Sequence, residues 1–448
     1  MEKKHTMIDL TGLAAELHGE IAALPVIDCH EHLPTEAERV ARRIDFTELF
    51  RHYTRADLES AGLPLGDAAW ARHEIYDTSK PVLPRWRKLK PCLQAIRHGS
   101  YAYPALAYVR EVLGFPDITD STVEAISERL QADNKPGIYQ RLMQELCGIR
   151  TAIQCKEGVV RGDQDFFVYL ARDRVEQPDD CAGPADCLAR LERERNRSIR
   201  TLPEWVDVLG AHVQDQKRQG AVGLKIGMAY RRTLEVEDVA AADAERVFVR
   251  LRRSVRAAVS EDDRKILEDY LLRREIEHAI DAGLVVAIHT GYQAGLRNDI
   301  RNARATLLWG LLKSYPQARF DLFHGSFPYV SDMTVLGKYF PNVSLNMCWM
   351  HIMSPEISRR ALAEWLDAVP ATKIFAFGGD YQTVEKIYGH LQLARADVAI
   401  VLADKVAQGR MTTAEALNAA RLLFHDNPVR WYGLKGRKAK SLAIEKQQ

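Results

Sequence analysis

The sequence predicts an α/β fold, a TIM-type (β/α)8 barrel with a helical insertion after its first strand. Two observations lead to this prediction. Eight short apolar segments recur along the 448 residues, and several are nearly continuous in apolar residues, as strands buried on both faces are. Segments with helical periodicity separate most of them, and repeated strand–helix alternation is typical of a parallel barrel.

The eight predicted strands are short, and most of them end at or just before a polar residue. They are PVIDCH (25–30), RTAIQC (150–155), DFFVYLA (165–171), AVGLKIG (221–227), GLVVAIH (283–289), RFDLFH (319–324), NVSLNMCW (342–349) and KIFAFGGD (373–380). Helices are predicted at 182–219, 236–282, 299–314, 328–340, 355–368 and 384–408. A further helix is expected before the first strand, with Thr11 as its cap.

The interval between the first two strands, residues 34–147, is too long for a single crossover. It is rich in Pro, Trp and Tyr and contains ITDSTVEAISERLQADN, a capped-helix pattern, so we expect a helical insertion over the top face of the barrel. Residues 409–448 are expected to form a C-terminal helical extension. Residues 1–448 are expected to be a single domain, because one barrel with insertions can absorb this length.

The composition is ordinary for a globular protein, with 46% apolar and 27% charged residues. The net charge of +1 provides no electrostatic case for nucleic acid or an anionic membrane as a partner. The first 25 residues do not resemble a signal peptide, and seven cysteines include no C-x-x-C pair. We therefore expect a cytoplasmic protein with reduced thiols, a small-molecule substrate and assembly into a homo-oligomer.

Residues with metal-binding chemistry fall at the ends of the predicted strands, where barrels of this type carry their active sites. His30 and His32 are two residues apart on the first strand, so their side chains should share one face. Four further residues of this kind end later strands: Lys225, His289, His324 and Asp380. Taken alone, a residue of each of these types more often has a structural role than a metal-binding one. The joint pattern favours a divalent metal ion, Zn²⁺ or Mn²⁺.

Five motifs, DCHEH, GLKIG, IHTG, FHGS and FGGD, occur in this order over nearly the whole chain. Together they resemble the amidohydrolase superfamily of metal-dependent TIM barrels. The stretches FDLFHGSFPYVSDMTVLGKYFPNVSLNMCW and NPVRWYGL are similar to the amidohydrolase-2 branch, especially to the amidohydrolase-like domain fused to glutamine-synthetase-like proteins in some fungi and plants. The motifs are weakly specific for the reaction, since the superfamily includes hydrolases, decarboxylases and isomerases.

The resemblance implies a role for each strand-end residue. His30 and His32 match the metal ligands of the first strand, and His289 matches a ligand of the fifth. Asp380 matches the carboxylate that touches the metal and takes a proton from its water. His324 matches a histidine that polarises the substrate or moves protons. Asp380 and His324 are therefore the expected catalytic residues.

Lys225 matches the lysine that, when carboxylated, bridges two metal ions. It could equally stay cationic and bind a substrate carboxylate. The number of metal ions per chain is therefore open between one and two, and Zn²⁺ is the ion expected first. Arg297 in the fifth loop is predicted to pair with a substrate carboxylate. His351, after strand seven, is predicted to line the pocket. A solvated loop arginine and an ordinary loop histidine are the alternatives.

The leading prediction is a hydrolase that attacks an amide, lactone or similar carbonyl bond of a small carboxylated substrate through a metal-activated water. One alternative is a decarboxylase or uronate-isomerase-like enzyme on the same site. The long insertion after strand one is similar to that of the sugar-acid isomerases, whereas the pattern around strand six fits them less well. A second alternative is a non-catalytic ligand-binding module.

Overall fold

The computed structural model describes residues 7–66, 72–155, 166–175, 184–253 and 260–434. At its centre, eight parallel strands pair in sequence order. The strands are β1 (Val26–Glu31), β2 (Ile149–Gln154), β3 (Phe167–Arg172), β4 (Ala221–Ile226), β5 (Val285–His289), β6 (Phe320–Phe323), β7 (Val343–Asn346) and β8 (Ile374–Phe375). Each overlaps a predicted strand, and the predicted barrel is confirmed.

The barrel closes where β1 meets the segment that follows β8. The backbone N–H of Asp380, for example, donates to the carbonyl of His30 over 2.7 Å. We call the contact of residues 28–32 with residues 377–381 the seam. The seam joins the first strand of the barrel to the last, so it brings together residues from opposite ends of the sequence.

The predicted insertion after the first strand is confirmed as helical. One helix, α1 (Gly12–Ala22), precedes β1, although its Thr11 side chain makes no cap hydrogen bond. The helices between β1 and β2 are α2 (Glu36–Val40), α3 (Thr54–Ser60), α4 (Val82–Ile96), α5 (Tyr103–Ala107) and α6 (Val123–Asp133), with 3-10 turns at Phe46–Phe50 and Glu74–Tyr76 and π-helical segments at Tyr108–Val112 and Gln140–Leu146. The insertion buries an apolar core of its own, built around Phe46 and Trp86.

The remaining helices pack around the outside of the barrel. They are α7 (Pro184–Arg195), α8 (Leu202–Arg218), α9 (Ala241–Arg253), α10 (Glu261–Asp281), α11 (Trp309–Ser314), α12 (Val330–Tyr339), α13 (Met350–Met353), α14 (Pro355–Ala368), α15 (Glu385–Ala407), α16 (Thr413–Arg421) and α17 (Asn427–Trp431). The predicted C-terminal extension is helical through α17, and its part beyond residue 434 lies outside the described residues. None of the helices in the described ranges combines the length and apolarity that a membrane span requires.

A buried ion pair fastens the insertion to the barrel. Arg39, at 0% exposure, forms a salt bridge with Glu385 at the start of α15 and donates to the Asn134 side-chain oxygen over 2.7 Å. A buried charge is costly unless it is paired and hydrogen-bonded, and these two partners meet that condition. The contact holds the insertion against the helix that directly follows the seam.

Candidate metal centre

The structure brings the strand-end ligand candidates together at the C-terminal mouth of the barrel. The Nε2 atoms of His30 and His32 lie 3.1 Å apart. They approach Asp380 Oδ1 to 3.4 and 3.2 Å, respectively. His324 Nε2 lies 3.9 Å from Asp380 Oδ2. His289 stands beside this group, with its ring centre 4.4 Å from that of His324. Its Nε2 also lies 2.9 Å from the Tyr292 carbonyl oxygen, so that ring nitrogen contacts the backbone.

The local backbone explains how these side chains converge. Between two paired positions, β1 advances by three residues, from Asp28 to Glu31, whereas β2 advances by only two, from Ala152 to Gln154. This difference is the signature of a bulge on β1. Asp380 and His324 adopt left-handed φ angles of 59° and 66°. Non-glycine residues rarely adopt this conformation, and such strain persists where surrounding contacts impose it, often at functional sites. For His324, a contact of 3.0 Å between Nδ1 and the Cys348 carbonyl supplies part of that constraint.

The ionisation states of the cluster suit a cation. Burial lowers the pKa of His30 well below its usual value and lowers that of His324 to about 4, so both rings are neutral at pH 7. Burial alone would raise the pKa of Asp380, but His30, His32 and His324 together hold it well below its usual range. The result is two neutral imidazoles, those of His30 and His324, beside one carboxylate, and nitrogen and carboxylate oxygen are donors that Zn²⁺ and related ions bind.

Three buried polar atoms of the cluster also lack a hydrogen-bond partner. They are His30 Nδ1, His324 Nε2 and Asp380 Oδ1. Buried polar groups are nearly always satisfied, and an orphaned atom calls for an explanation such as an ion. The residues present therefore fit a divalent cation held by His30, His32 and Asp380, with His324 close by.

Two carboxyl groups support the seam beneath this cluster. Asp28 Oδ1 accepts from the backbone N–H groups of His30 (3.2 Å) and Gly379 (3.0 Å). Glu31 Oε2 accepts from the N–H of Tyr381 over 2.7 Å. Burial raises the pKa of Asp28 to about 6 and that of Glu31 well above its usual value. The two carboxyl groups therefore bind backbone N–H groups on both sides of the seam.

A cavity of about 460 Å³ opens above the ligand cluster. The insertion contributes part of its wall, including His52, Tyr53 and Arg55, none of which the sequence indicated as site residues. Arg172, at the end of β3, was also missed, although it occupies the same kind of strand-end position as Lys225. The cavity thus presents three basic side chains, Arg55, Arg172 and Lys225, beside the candidate metal ligands.

Aromatic rings form one side of the cavity. We call Tyr53, Tyr101, Tyr292 and Trp349 the aromatic wall. Tyr53 stacks on Trp349 with 4.2 Å between ring centres, and Tyr292 lies 5.6 Å from Trp349. Trp349 has a left-handed φ of 68°, which turns the chain sharply after β7. This wall offers flat aromatic surface to a bound molecule.

Of the two predicted substrate contacts, neither lies at the cavity. His351 is wrong as a pocket residue: it is fully buried, with Nδ1 2.8 Å from Asp397 Oδ2 and Nε2 3.0 Å from the Ala376 carbonyl oxygen. Arg297 sits on an exposed loop with φ of 63° and is not among the residues lining the cavity. The cavity arginines are Arg55 and Arg172 instead.

Lys225 is where the sequence placed it, at the end of β4. Its side chain faces the cavity, and Nζ lies 5.1 Å from the centre of the Phe323 ring. Burial lowers the pKa of Lys225, while Cys155 and Asp380 act in the opposite direction. A lysine with a lowered pKa is more easily neutral, so both the carboxylated and the cationic alternatives stay open.

Comparison with known proteins identifies the family. A family model described as "Amidohydrolase" matches residues 168–434, more than half of the chain. The chain belongs to the amidohydrolase family. This confirms the resemblance that the motifs indicated, and it makes the chain an enzyme of a superfamily that is generally metal-dependent.

Individual relatives extend the comparison beyond the family. This amidohydrolase is 25% identical to the uronate isomerase of Phenylobacterium zucineum over 94% of each chain. It is 29% identical to protein fluG of Emericella nidulans in a region that covers 46% of this chain and only 25% of protein fluG. The crystal structure of a uronate isomerase from Thermotoga maritima superposes with a TM-score of 0.78 at 15% identity, covering 96% of this chain and 100% of that one. At that identity the likeness establishes a shared fold.

Proposed function

We propose that this amidohydrolase is a metal-dependent isomerase that interconverts the aldose and ketose forms of a uronate, a sugar acid. The observation that carries the proposal is the end-to-end similarity to the uronate isomerase of Phenylobacterium zucineum, which spans 94% of both chains and so includes the insertion. This similarity favours isomerisation over the hydrolysis that the sequence led us to expect first.

The cavity suits an acidic, hydroxylated substrate. Arg55 and Arg172 lie in its wall together with Lys225, and a guanidinium group binds a carboxylate through two parallel hydrogen bonds. The aromatic wall would lie against the C–H face of the sugar. The basic side chains would therefore bind the carboxylate end of the substrate, and the aromatic wall would pack against one side of its sugar ring.

Aldose–ketose isomerisation moves one proton from C2 to the carbonyl carbon, C1, and a second proton from the C2 hydroxyl to the carbonyl oxygen. Asp380 is ionised at neutral pH and is the base that would accept and return the first of these protons. The Tyr53 hydroxyl, which interacts with Asp380, would donate to a substrate oxygen. A divalent ion held by His30, His32 and Asp380 would polarise the substrate carbonyl when bound.

The test is product analysis on the purified full chain loaded with Zn²⁺ or Mn²⁺. Glucuronate and galacturonate should each be offered in D₂O and followed by NMR and mass spectrometry. An isomerase yields a ketose of the same composition. Asp380→Asn should lower turnover by about 10²–10⁴-fold, the usual contribution of a general base. Asp367→Asn, an exposed acid-to-amide change outside the cavity, is the matched control and should leave it unchanged.

Adding a lactone and an amide of a sugar acid to the substrates extends the same experiment to the alternatives. Addition of water to a lactone or amide, with both uronates unchanged, would refute isomerisation in favour of hydrolysis. Loss of CO₂ would indicate a decarboxylase. A metal-loaded chain that converts none of these substrates would contradict the proposal.

A further inference from the structure

A thiol outside the predicted ligand set lies at the same cluster. Cys155 Sγ and one ring nitrogen each of His30 and His32 all lie within 4.8 Å of one another. Two ligands of one tetrahedral zinc ion, one nitrogen and one sulfur, are about 3.5 Å apart when Zn–N is about 2.0 Å and Zn–S about 2.3 Å. The three atoms are thus close to the spacing of ligands that share an ion.

The pairing of β1 with β2 explains this position. The N–H of Cys155 donates to the Glu31 carbonyl over 2.8 Å, and the bulge on β1 makes Cys155 level with His32. Ile153, two residues earlier, belongs to the small apolar core inside the barrel. Because side chains two residues apart on a strand share a face, Cys155 also points into the barrel.

The surroundings of Cys155 favour a ligand role over a purely structural one. The thiol is 5% exposed and lines the cavity, with the cationic Lys225 and Arg172 as neighbours. Metal ligation would require the thiolate form of Cys155.

A second thiol near the cluster differs in its setting. Cys348 Sγ lies within 4.8 Å of ligand atoms of His324 and Asp380. It is fully buried in the main apolar core, however, and does not line the cavity. A Cβ on Gly378 would lie 2.8 Å from Cys348 Sγ, so this sulfur is packed tightly against the backbone of the seam. Cys348 therefore serves as a matched control.

We propose that Cys155 supplies a sulfur ligand to the metal ion held by His30, His32 and Asp380. The centre would then combine nitrogen, oxygen and sulfur donors, and a soft thiolate would favour Zn²⁺ over Mn²⁺. One thiolate and one carboxylate would balance the charge of a divalent ion. This inference rests on the metal centre of the proposed function, but it concerns the ligand shell and not the reaction.

The ligand shell can be read directly on the full chain. With Co²⁺ in place of the native ion, the wild-type protein should show a thiolate-to-cobalt charge-transfer band in the near ultraviolet. Cys155→Ser should lose this band, and Cys348→Ser should keep it. X-ray absorption of the Zn²⁺ form should show sulfur at about 2.3 Å in the wild type and only nitrogen and oxygen in Cys155→Ser. Zn²⁺ affinity of Cys155→Ser should fall by at least about tenfold, as even changes to groups behind the ligands cause about 10–100-fold losses. Mn²⁺ affinity should change less.

Several outcomes would overturn the inference. A wild-type spectrum with nitrogen and oxygen alone would do so, and it needs no variant, so misfolding of Cys155→Ser would not obscure the answer. Loss of the charge-transfer band in Cys348→Ser, with the band kept in Cys155→Ser, would show that Cys348 and not Cys155 supplies the sulfur. A chain that binds neither ion would refute the inference together with the metal centre. Conversion of uronate by a protein without metal–sulfur scattering would refute only the sulfur ligand and leave the proposed function standing.

Discussion

Replacement of Gly379 by alanine tests whether the seam is as tightly built as its contacts indicate. A methyl group on Gly379 would lie 2.0 Å from Glu31 Oε1 and 3.5 Å from Asp28 Oδ2. Neither carboxyl group can simply rotate away, because each accepts backbone hydrogen bonds across the seam. Glu31 Oε2 accepts from Tyr381 N–H over 2.7 Å, and Asp28 Oδ1 accepts from the N–H of Gly379 itself.

The expected cost follows from two effects. Forcing an extra methyl group into a packed site costs about 1–3 kcal/mol. Displacing Glu31 would leave the buried N–H of Tyr381 without an acceptor, which costs about 1–3 kcal/mol more. Gly379→Ala should therefore lower the free energy of unfolding by about 2–6 kcal/mol. It should also weaken metal binding, because Asp380 is the next residue.

Urea unfolding monitored by circular dichroism measures the first effect, and competition with a chromophoric chelator measures the second. Gly19→Ala is the matched control. Gly19 is exposed on α1, and a Cβ there meets nothing within 4 Å, so this change should stabilise the helix by up to about 1 kcal/mol. If Gly379→Ala unfolded at the wild-type urea concentration and bound metal equally well, the account of the seam would be refuted.

Three further predictions concern stability. Arg39→Met should lower the free energy of unfolding in urea by about 3–5 kcal/mol, because it leaves Glu385 buried without its partner. Combining Arg39→Met with Glu385→Leu should recover most of that loss. Equal stability of Arg39→Met and the wild type would show that the ion pair is unimportant. Burial raises the pKa of Asp321 from 3.8 to about 6. The folded chain therefore holds this proton more tightly than the unfolded chain, and stability falls as pH rises from about 4 to 6. Unfolding free energies should show the wild type losing about 2.4 kcal/mol relative to Asp321→Asn between pH 4 and 7, and a constant difference would contradict this. Chelation should lower the thermal unfolding midpoint in scanning calorimetry, and Zn²⁺ should restore it. An ion that binds only the folded chain stabilises it by about 2.7 kcal/mol when the ion is present at 100 times its Kd. An unchanged midpoint would argue against a bound ion.

Local pattern was enough to predict the barrel and the convergence of its strand-end residues. Strands buried on both faces appear as apolar runs, and parallel strands all end at one mouth. His30, His32 and Asp380 could be placed there without any knowledge of the loops. The same rule applied to the ends of strands two and three would have indicated Cys155 and Arg172, whose side chains line the cavity.

The contributions of the insertion could not be predicted in this way. Tyr53 and Arg55 reach the cavity because the insertion folds back onto the barrel, and its docking depends on distant contacts such as Arg39 with Glu385. Helical periodicity carries no information about those contacts. His351 failed for a related reason: the left-handed turn at Trp349 leads into α13, which directs His351 toward Asp397 in the core.

The seam also determines when the centre can exist during synthesis of the chain. Gly379 and Asp28, which bind each other there, are 351 positions apart. Contacts between such distant residues form only after nearly all of the intervening chain has been made and has lost its conformational freedom. A nascent chain that ends before residue 380 carries both histidines of β1 but not the carboxylate opposite them. The ribosome must therefore release almost the whole barrel before an ion can find its complete set of ligands, and metal capture would mark the completion of folding.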